Sequence, residues 1–296
     1  MQAAAEPGVL ERLLVAYARN FPLRQGKMRL VDALWRKTAG TDAHREATTR
    51  FGGLRMPCDL SQPLQRQYYF FGTYFLEDHI LAAWCAAARG ARLVFDVGAN
   101  AGIYSLAAVS AEPSAEVHAF EPTPEIAARL RRTVELNRLA SVTVHQQAVS
   151  DHDGHAILRR CGEDVGGNEG MNYVVADRGD GDGERVPTVR LDTACRALQA
   201  DRIDLLKLDI QGAEAAALEG AQDLLAAGRV DWIFMELNWD MGPPCPAIDA
   251  VRRLEAAGYV FSAPGRRLDW RAPGDWMRRL SDVIARPGVS VGAASR

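Results

Sequence analysis

The stretch Leu93-Val94-Phe95-Asp96-Val97-Gly98-Ala99-Asn100-Ala101-Gly102-Ile103-Tyr104-Ser105 sets the reading of this chain. An apolar run ends in an acid and a glycine-rich turn, the pattern of a strand that bends sharply into a helix. Bare backbone at Gly98 and Gly102 lets the turn tighten and come close to a ligand, and the first N–H groups of a helix starting near Ala101 would point back at it. This is the signature of a nucleotide-binding loop. Turns of this kind serve dinucleotides and S-adenosylmethionine alike, so the spacing by itself leaves the cofactor open.

Outward from that turn, strands and helices alternate from Ala91 onward. The pattern predicts strands over 92–97, 115–121, 141–147, 203–210 and 230–237, helices over 101–111, 124–138, 191–199, 213–227 and 246–257, and two closing strands near 258–263 and 281–286. Such alternation makes a mainly parallel sheet with both faces covered, an α/β fold. Before it, residues 8–20 and 27–38 have helical periodicity, a short strand or turn is expected around Phe51-Gly52-Gly53-Leu54, and Gln62 to Arg89 reads as helical and rich in aromatics. The expected division is an N-terminal helical extension over 1–90 and a cofactor-binding domain over 91–296. The segment 160–187, dense in Gly, Asp, Glu and Asn, is too long for a passive connector. It is expected to be an inserted lid whose flanks, 156–160 and 185–190, pair as an antiparallel ribbon.

Composition narrows the partners. The 296 residues are 48% hydrophobic, enough for a sizeable core, and a formal charge of −3 gives no general basic field, so nucleic acid is not an expected partner. Five widely spaced cysteines form no C-x-x-C pair and signal neither a disulfide framework nor a zinc site. No transmembrane segment or signal peptide is expected, and the simplest setting is cytoplasmic. The aromatic cluster reads first as core and second as ligand contact, and its segment 68–75 is also a candidate interface for a homo-oligomer.

Chemistry gathers at the predicted strand ends. Glu121 follows Gly102 by nineteen positions, where a carboxylate can accept both ribose hydroxyls of an adenosine. Gln147 and Ala148 follow the third strand, where the chain could flank an adenine ring. A second block, Leu205-Leu206-Lys207-Leu208-Asp209-Ile210-Gln211-Gly212-Ala213-Glu214, repeats the strand, acid, glycine and helix order, and Asp209 should face the first turn across a cleft. Glu236, Asn238 and Trp239 add an acid, an amide and an aromatic to the same rim. Glu214, in the first turn of a helix, is expected there on macrodipole grounds alone.

Taken in order, several blocks resemble the FkbM-type S-adenosylmethionine-dependent methyltransferases: Gly72-Thr73-Tyr74 with Glu77, Phe95 to Gly102, Phe120-Glu121-Pro122, Gln147 to Asp151, Val189-Arg190-Leu191-Asp192, and Leu206 to Asp209 with Gly212-Ala213-Glu214. The resemblance implies a class I methyltransferase (Rossmann-like) fold, a seven-stranded mixed sheet with helices on both faces and its last strand antiparallel. It also implies S-adenosylmethionine as cofactor and methyl transfer to a hydroxyl of a sugar, glycan or secondary metabolite. The expected cofactor contacts are Asp96, Gly98, Ala99, Asn100, Gly102, Tyr104, Ser105, Glu121, Pro122, Gln147, Ala148 and Asp209. Asp209 is the first candidate base, then Glu236, then His145. Asn168, Glu169 and Asn172 of the lid, with Gln211, Asn238 and Trp239, are the expected acceptor contacts, and no metal is expected. The family commonly has glutamate where this chain has Gln211. Two other readings compete: a nicotinamide-dependent oxidoreductase, which the glycine turn and Glu121 permit, and an inactive binding protein of the same fold.

Overall fold

The computed structural model describes residues 7–22, 25–38, 43–160, 171–177, 183–237, 246–263, 266–268 and 282–288. The chain begins with α1 (Val9–Asn20) and α2 (Lys27–Thr38), then a hairpin of β1 (His44–Thr48) and β2 (Arg55–Asp59) turning at residues 49–54, then α3 (Pro63–Phe71), a 3-10 turn (Phe75–Glu77) and α4 (Asp78–Ala88). The hairpin strands escape a hydrophobicity reading because β1 turns Arg45 and Ala47 inward, and Arg45 is buried only by pairing with Glu11 of α1 at 2.7 Å. The single helix expected over 62–89 is broken at Gly72, where α3 ends in a left-handed residue.

The remaining elements are β3 (Leu93–Val97), α5 (Ile103–Ala111), β4 (Glu116–Phe120), α6 (Pro124–Asn137), β5 (Val142–His145), β6 (Ala148–Val149), β7 (Gly154–Arg159), β8 (Tyr173–Ala176), β9 (Glu184–Val189), α7 (Leu191–Ala197), β10 (Ile203–Leu208), α8 (Glu214–Glu219), α9 (Gln222–Ala226), β11 (Val230–Glu236), α10 (Pro246–Ala256), β12 (Tyr259–Ala263), β13 (Arg266–Leu268) and β14 (Asp282–Pro287). The main sheet runs β13-β12-β14-β11-β10-β3-β4-β5. Five neighbouring strands, β11 to β5 in that order, are parallel, and β14 lies antiparallel between β11 and β12. This is the expected seven-stranded mixed sheet, extended at its edge by the three-residue β13.

Alternate residues of each central strand enter opposite cores. Val94, Val117, Leu205 and Phe234 pack with α1, α3, α4 and α5, whereas Phe95, Leu206, Ile233 and Met235 pack with α7 to α10. The aromatic run joins the first core: Tyr68, Tyr69, Phe70, Phe71 and Phe75 are all buried within the chain.

Two further local expectations change. The helix expected over 213–227 is two helices, because Asp192 at the start of α7 accepts the backbone N–H groups of Asp223 and Leu224, both at 3.1 Å, and so caps α9 from outside. The chain after β5 leaves the main sheet: β6 pairs with β9 in a four-stranded sheet ordered β6-β9-β7-β8. Within it β7 and β9 are antiparallel from Gly154 opposite Thr188 to Leu158 opposite Glu184, the expected ribbon. Residues 161–170 and 178–182 of the expected lid lie outside the described residues.

From β3 the chain builds outward through β4 and β5, then returns to place β10 on the other side of β3. Loops leaving two adjacent parallel strands in opposite directions open a crevice at their carboxyl ends. The first turn and Asp209 both sit there.

Candidate active site

The turn after β3 is set by the chain's own packing. Gly98 has φ +78°, and a Cβ there would lie 1.9 Å from the carbonyl oxygen of Asp209. Gly102 has φ +89°, and a Cβ there would lie 2.3 Å from Leu130 Cδ1. The space a side chain would need at these glycines is thus taken by the residue after strand β10 and by helix α6, while Gly98 itself lines the neighbouring cavity. The N–H groups of Gly98 and Ala99 both donate to the Phe120 carbonyl at 3.0 Å, tying the turn to the end of β4. Glu121, 5% exposed, accepts the N–H of Asn100 at 3.1 Å and of Thr123 at 2.8 Å. A carboxylate has about four acceptor positions, so it keeps capacity for hydroxyl donors.

A cavity of about 390 Å³ opens where β3, β4, β10 and β11 end, roofed by α2, α3, the 3-10 turn and residues 171–174. At its floor is a buried charge cluster. The Lys207 ammonium lies 2.7 Å from Asp209 Oδ2 and 4.4 Å from the centre of the Tyr104 ring. Pairing of β10 with β3 sets Asp96 directly opposite Lys207. One Asp96 oxygen accepts the Ser105 hydroxyl at 2.6 Å, and the other finds no donor among the described residues. The Gln211 amide bridges the two candidate bases, 3.1 Å from Asp209 Oδ1 and 3.2 Å from Glu236 Oε2.

These neighbours divide the protons unequally. Burial pushes the Asp209 carboxyl up, but the Lys207 charge and the hydrogen bonds from Glu236, Lys207 and Gln211 outweigh it and hold Asp209 below the usual carboxylate range. The Asp209 charge, together with burial, pushes Glu236 well above that range. Two carboxyl groups sharing a site cannot both ionise cheaply, so the pair carries one charge on Asp209 and one proton on Glu236. Burial would lower Lys207, yet Asp209, Asp96 and Glu77 raise it and keep it protonated. Burial pushes Glu77 up to about 7, against the pull of Lys207 and of the Tyr104 hydroxyl, which donates to it at 2.7 Å. The arrangement can accept a proton at Asp209 and leaves an acidic wall suited to a cation.

Of the residues singled out from sequence, Gly98, Ala99, Asn100, Tyr104, Glu121, Pro122, Asn172, Asp209, Gln211 and Glu236 line the cavity. Asp96, Gly102 and Ser105 stand behind its wall, and Gln147 and Ala148 lead into β6, away from it. Asn172 donates to the Thr123 hydroxyl at 3.5 Å, placing it at the Glu121 end. Asn168, Glu169, Asn238 and Trp239 lie outside the described residues. His145 contacts His118 at 2.8 Å, away from the cavity, and burial lowers it to about 4. Glu214 accepts the N–H groups of Ile210 and Gly212 at 3.1 and 3.2 Å, so it fastens the second turn. Among the described residues no group of three or more His, Cys, Asp or Glu side chains is arranged to hold a metal ion, and no helix is long and apolar enough to cross a membrane.

Sequence reasoning assigned no role to Lys207, read Tyr68 and Tyr74 first as core, and had Glu77 only within a family block; all four stand beside this floor. Lys207 carried a readable signal, a lone charge inside an apolar strand two residues before an acid. The others arrive from the N-terminal region by tertiary packing.

Residues 96–261 match the model of the methyltransferase FkbM domain. The chain belongs to this family. It is 32% identical over 180 residues to the 31-O-demethyl-FK506 methyltransferase FkbM of Streptomyces tacrolimicus, covering 50% of this chain and 68% of that protein. It is also 32% identical over 179 residues to the AMB antimetabolite synthetase AmbE of Pseudomonas aeruginosa, covering 49% of this chain and 8% of that much longer protein. Among solved structures, the METTL16 MTase domain aligns with a TM-score of 0.42 at 14% identity, covering 90% of this chain and 82% of that one. The chain is a methyltransferase whose cofactor is S-adenosylmethionine, and the strand order gives it the class I arrangement. The nicotinamide reading falls with the family match.

Proposed function

We propose that the chain methylates a hydroxyl oxygen of a small-molecule acceptor, a sugar or secondary metabolite, with Asp209 taking the hydroxyl proton. The observation that carries this reading is the grouping of Asp209 and Glu236 at the cavity floor, bridged by the Gln211 amide, with the Lys207 ammonium 2.7 Å from Asp209. The names of two relatives, 31-O-demethyl-FK506 methyltransferase and 2-O-methyltransferase NoeI of Sinorhizobium fredii, the latter 28% identical over 149 residues, agree with an oxygen acceptor.

The residues present fit the cofactor. Glu121 keeps acceptor positions for two ribose hydroxyls, and the carboxyl groups of Glu121, Asp209 and Glu236 outnumber the one ammonium, Lys207, in the described lining, which favours a cationic ligand. When bound, S-adenosylmethionine supplies an electrophilic methyl carbon on a positively charged sulfur. The chain's contribution is alignment and proton acceptance. Lys207 keeps Asp209 ionised at rest, so an acceptor O–H can donate to its carboxylate, which can take up the proton. Glu236, already protonated, cannot compete as base at neutral pH. Proton acceptance of this kind contributes about 10²–10⁴-fold to rate. Asp209→Asn is therefore expected to lower kcat by that order while S-adenosylhomocysteine affinity, read by calorimetry, stays within about threefold. Unchanged turnover with affinity retained removes Asp209 as the base.

A further inference from the structure

We infer that the acceptor presents its hydroxyl from an otherwise apolar body, and is a hydroxylated hydrophobic molecule in preference to a free saccharide. The inference rests on the methyl-transfer reading above and concerns what surrounds the reacting hydroxyl.

Polarity in the cavity is graded. Its carboxyl and ammonium groups lie at the strand ends, on Glu121, Lys207, Asp209 and Glu236, and among the described lining residues the roof adds only the hydroxyls of Tyr68, Tyr74 and Tyr173 and the amides of Gln67 and Asn172. The way in passes Met28 of α2, Leu64 of α3 and Leu76 of the 3-10 turn on one side, and Met171 and Tyr173 on the other. Leu76 is 59% exposed, Met171 43% and Tyr173 38%. Large apolar side chains left in water at a cavity mouth gain from a ligand that covers them.

The two side-chain amides of the roof are already engaged by the chain. The Gln67 side-chain oxygen accepts the Leu76 N–H at 3.3 Å, and the Asn172 amide is turned to the Thr123 hydroxyl. A saccharide carries hydroxyls around its whole ring, and each one taken from water without a new partner opposes binding. Among the described residues, carboxyl and ammonium partners wait only at the floor. A molecule with one hydroxyl reaching Asp209 and hydrocarbon in the collar meets a partner at both levels.

The test compares two probes with the same polyol, methyl β-glucoside and octyl β-glucoside below its micellar concentration, each titrated against the protein saturated with S-adenosylhomocysteine. Each methylene covered by the collar is worth about fourfold in affinity, so the octyl compound is expected to bind at least about tenfold tighter. Leu76→Gln, and Leu76→Gln combined with Leu64→Gln, are expected to cut that preference to about threefold or less with S-adenosylhomocysteine affinity unchanged. Leu76 is exposed, so its single variant tests the collar without loading the core. Equal affinity for the two glucosides, binding of neither, or a preference that survives both variants overturns the inference while the methyl-transfer reading stands. Failure of the wild-type protein to bind S-adenosylhomocysteine overturns that reading and the inference with it.

Discussion

The two acid-and-glycine turns, after β3 and after β10, are near copies in sequence and opposites in use. Each ends an apolar strand in an acid, passes a side-chain amide in the left-handed region, Asn100 at φ +48° and Gln211 at φ +53°, and starts a helix. Yet Asp96 is the fourth residue of its five-residue strand and stays inside it, 1% exposed, whereas Asp209 lies one residue beyond its strand and reaches the cavity. Alternation puts both on the face of Lys207, one opposite it across the ladder and one two residues ahead. One lysine thus serves two acids, one closed within the structure and one open to a ligand. Sequence similarity between turns says little about which acid meets the substrate.

The contrast can be broken by substitution, beginning with the largest effect. Gly98→Ala should destabilise the fold by about 3 kcal/mol or more, since its Cβ would collide with the Asp209 backbone at a left-handed position; a thermal melt within a degree of the parent would show that the two turns are not locked together. Next comes the split between the acids. Asp209→Asn is expected to lose rate out of proportion to stability, and Asp96→Asn to lose about 1–3 kcal/mol of stability with kcat changed less than about tenfold. Equal losses of rate in the two variants would erase the division of labour.

A smaller effect tests Glu77, the third acid near Lys207. Its carboxyl titrates at 4.5 in an ordinary setting and is raised to about 7 here, chiefly by burial. Below 4.5 both folded and unfolded chains hold the proton, and between there and about 7 only the folded chain does. Stability from this group therefore falls as pH rises through that window and levels off above it. Glu77→Gln should melt increasingly above the parent from pH 4.5 to 7, and parallel melting curves across that range would show that burial does not govern this carboxyl. The smallest effect is expected for Gln211→Glu. A further acid between Asp209 and Glu236 should move the acid limb of the kcat/KM profile up by about one unit, with turnover at pH 8 within about threefold of the parent. An unmoved limb would mean that the Gln211 position is electrically remote from the base.

What could be read from sequence follows physical range. The strand-end acids at 96, 121, 209 and 236 were legible because an apolar run, an acid and a turn lie within a few residues of one another. The ribbon of β7 and β9 was legible from alternation alone, and Asp192 was visible as part of a family block, though its role as an outside cap of α9 was not. The hairpin strand β1 was hidden because it buries an arginine, whose cost is met by Glu11, 34 residues earlier in the chain. The departure of the chain for a second sheet after His145 was hidden because nothing local signals it.

By itself the sequence determined where strands end, which residues turn and which carry charge, since backbone sterics and side-chain periodicity act over a handful of residues. Only the tertiary structure decided that Asp96 closes on Lys207 and Ser105 while Asp209 opens to the cavity, and that Leu64, Leu76 and Met171 stand over both. Those outcomes depend on the register of β3 against β10 and on helices packed from distant parts of the chain. Both are set by long-range hydrogen bonds and burial, which local spacing does not encode.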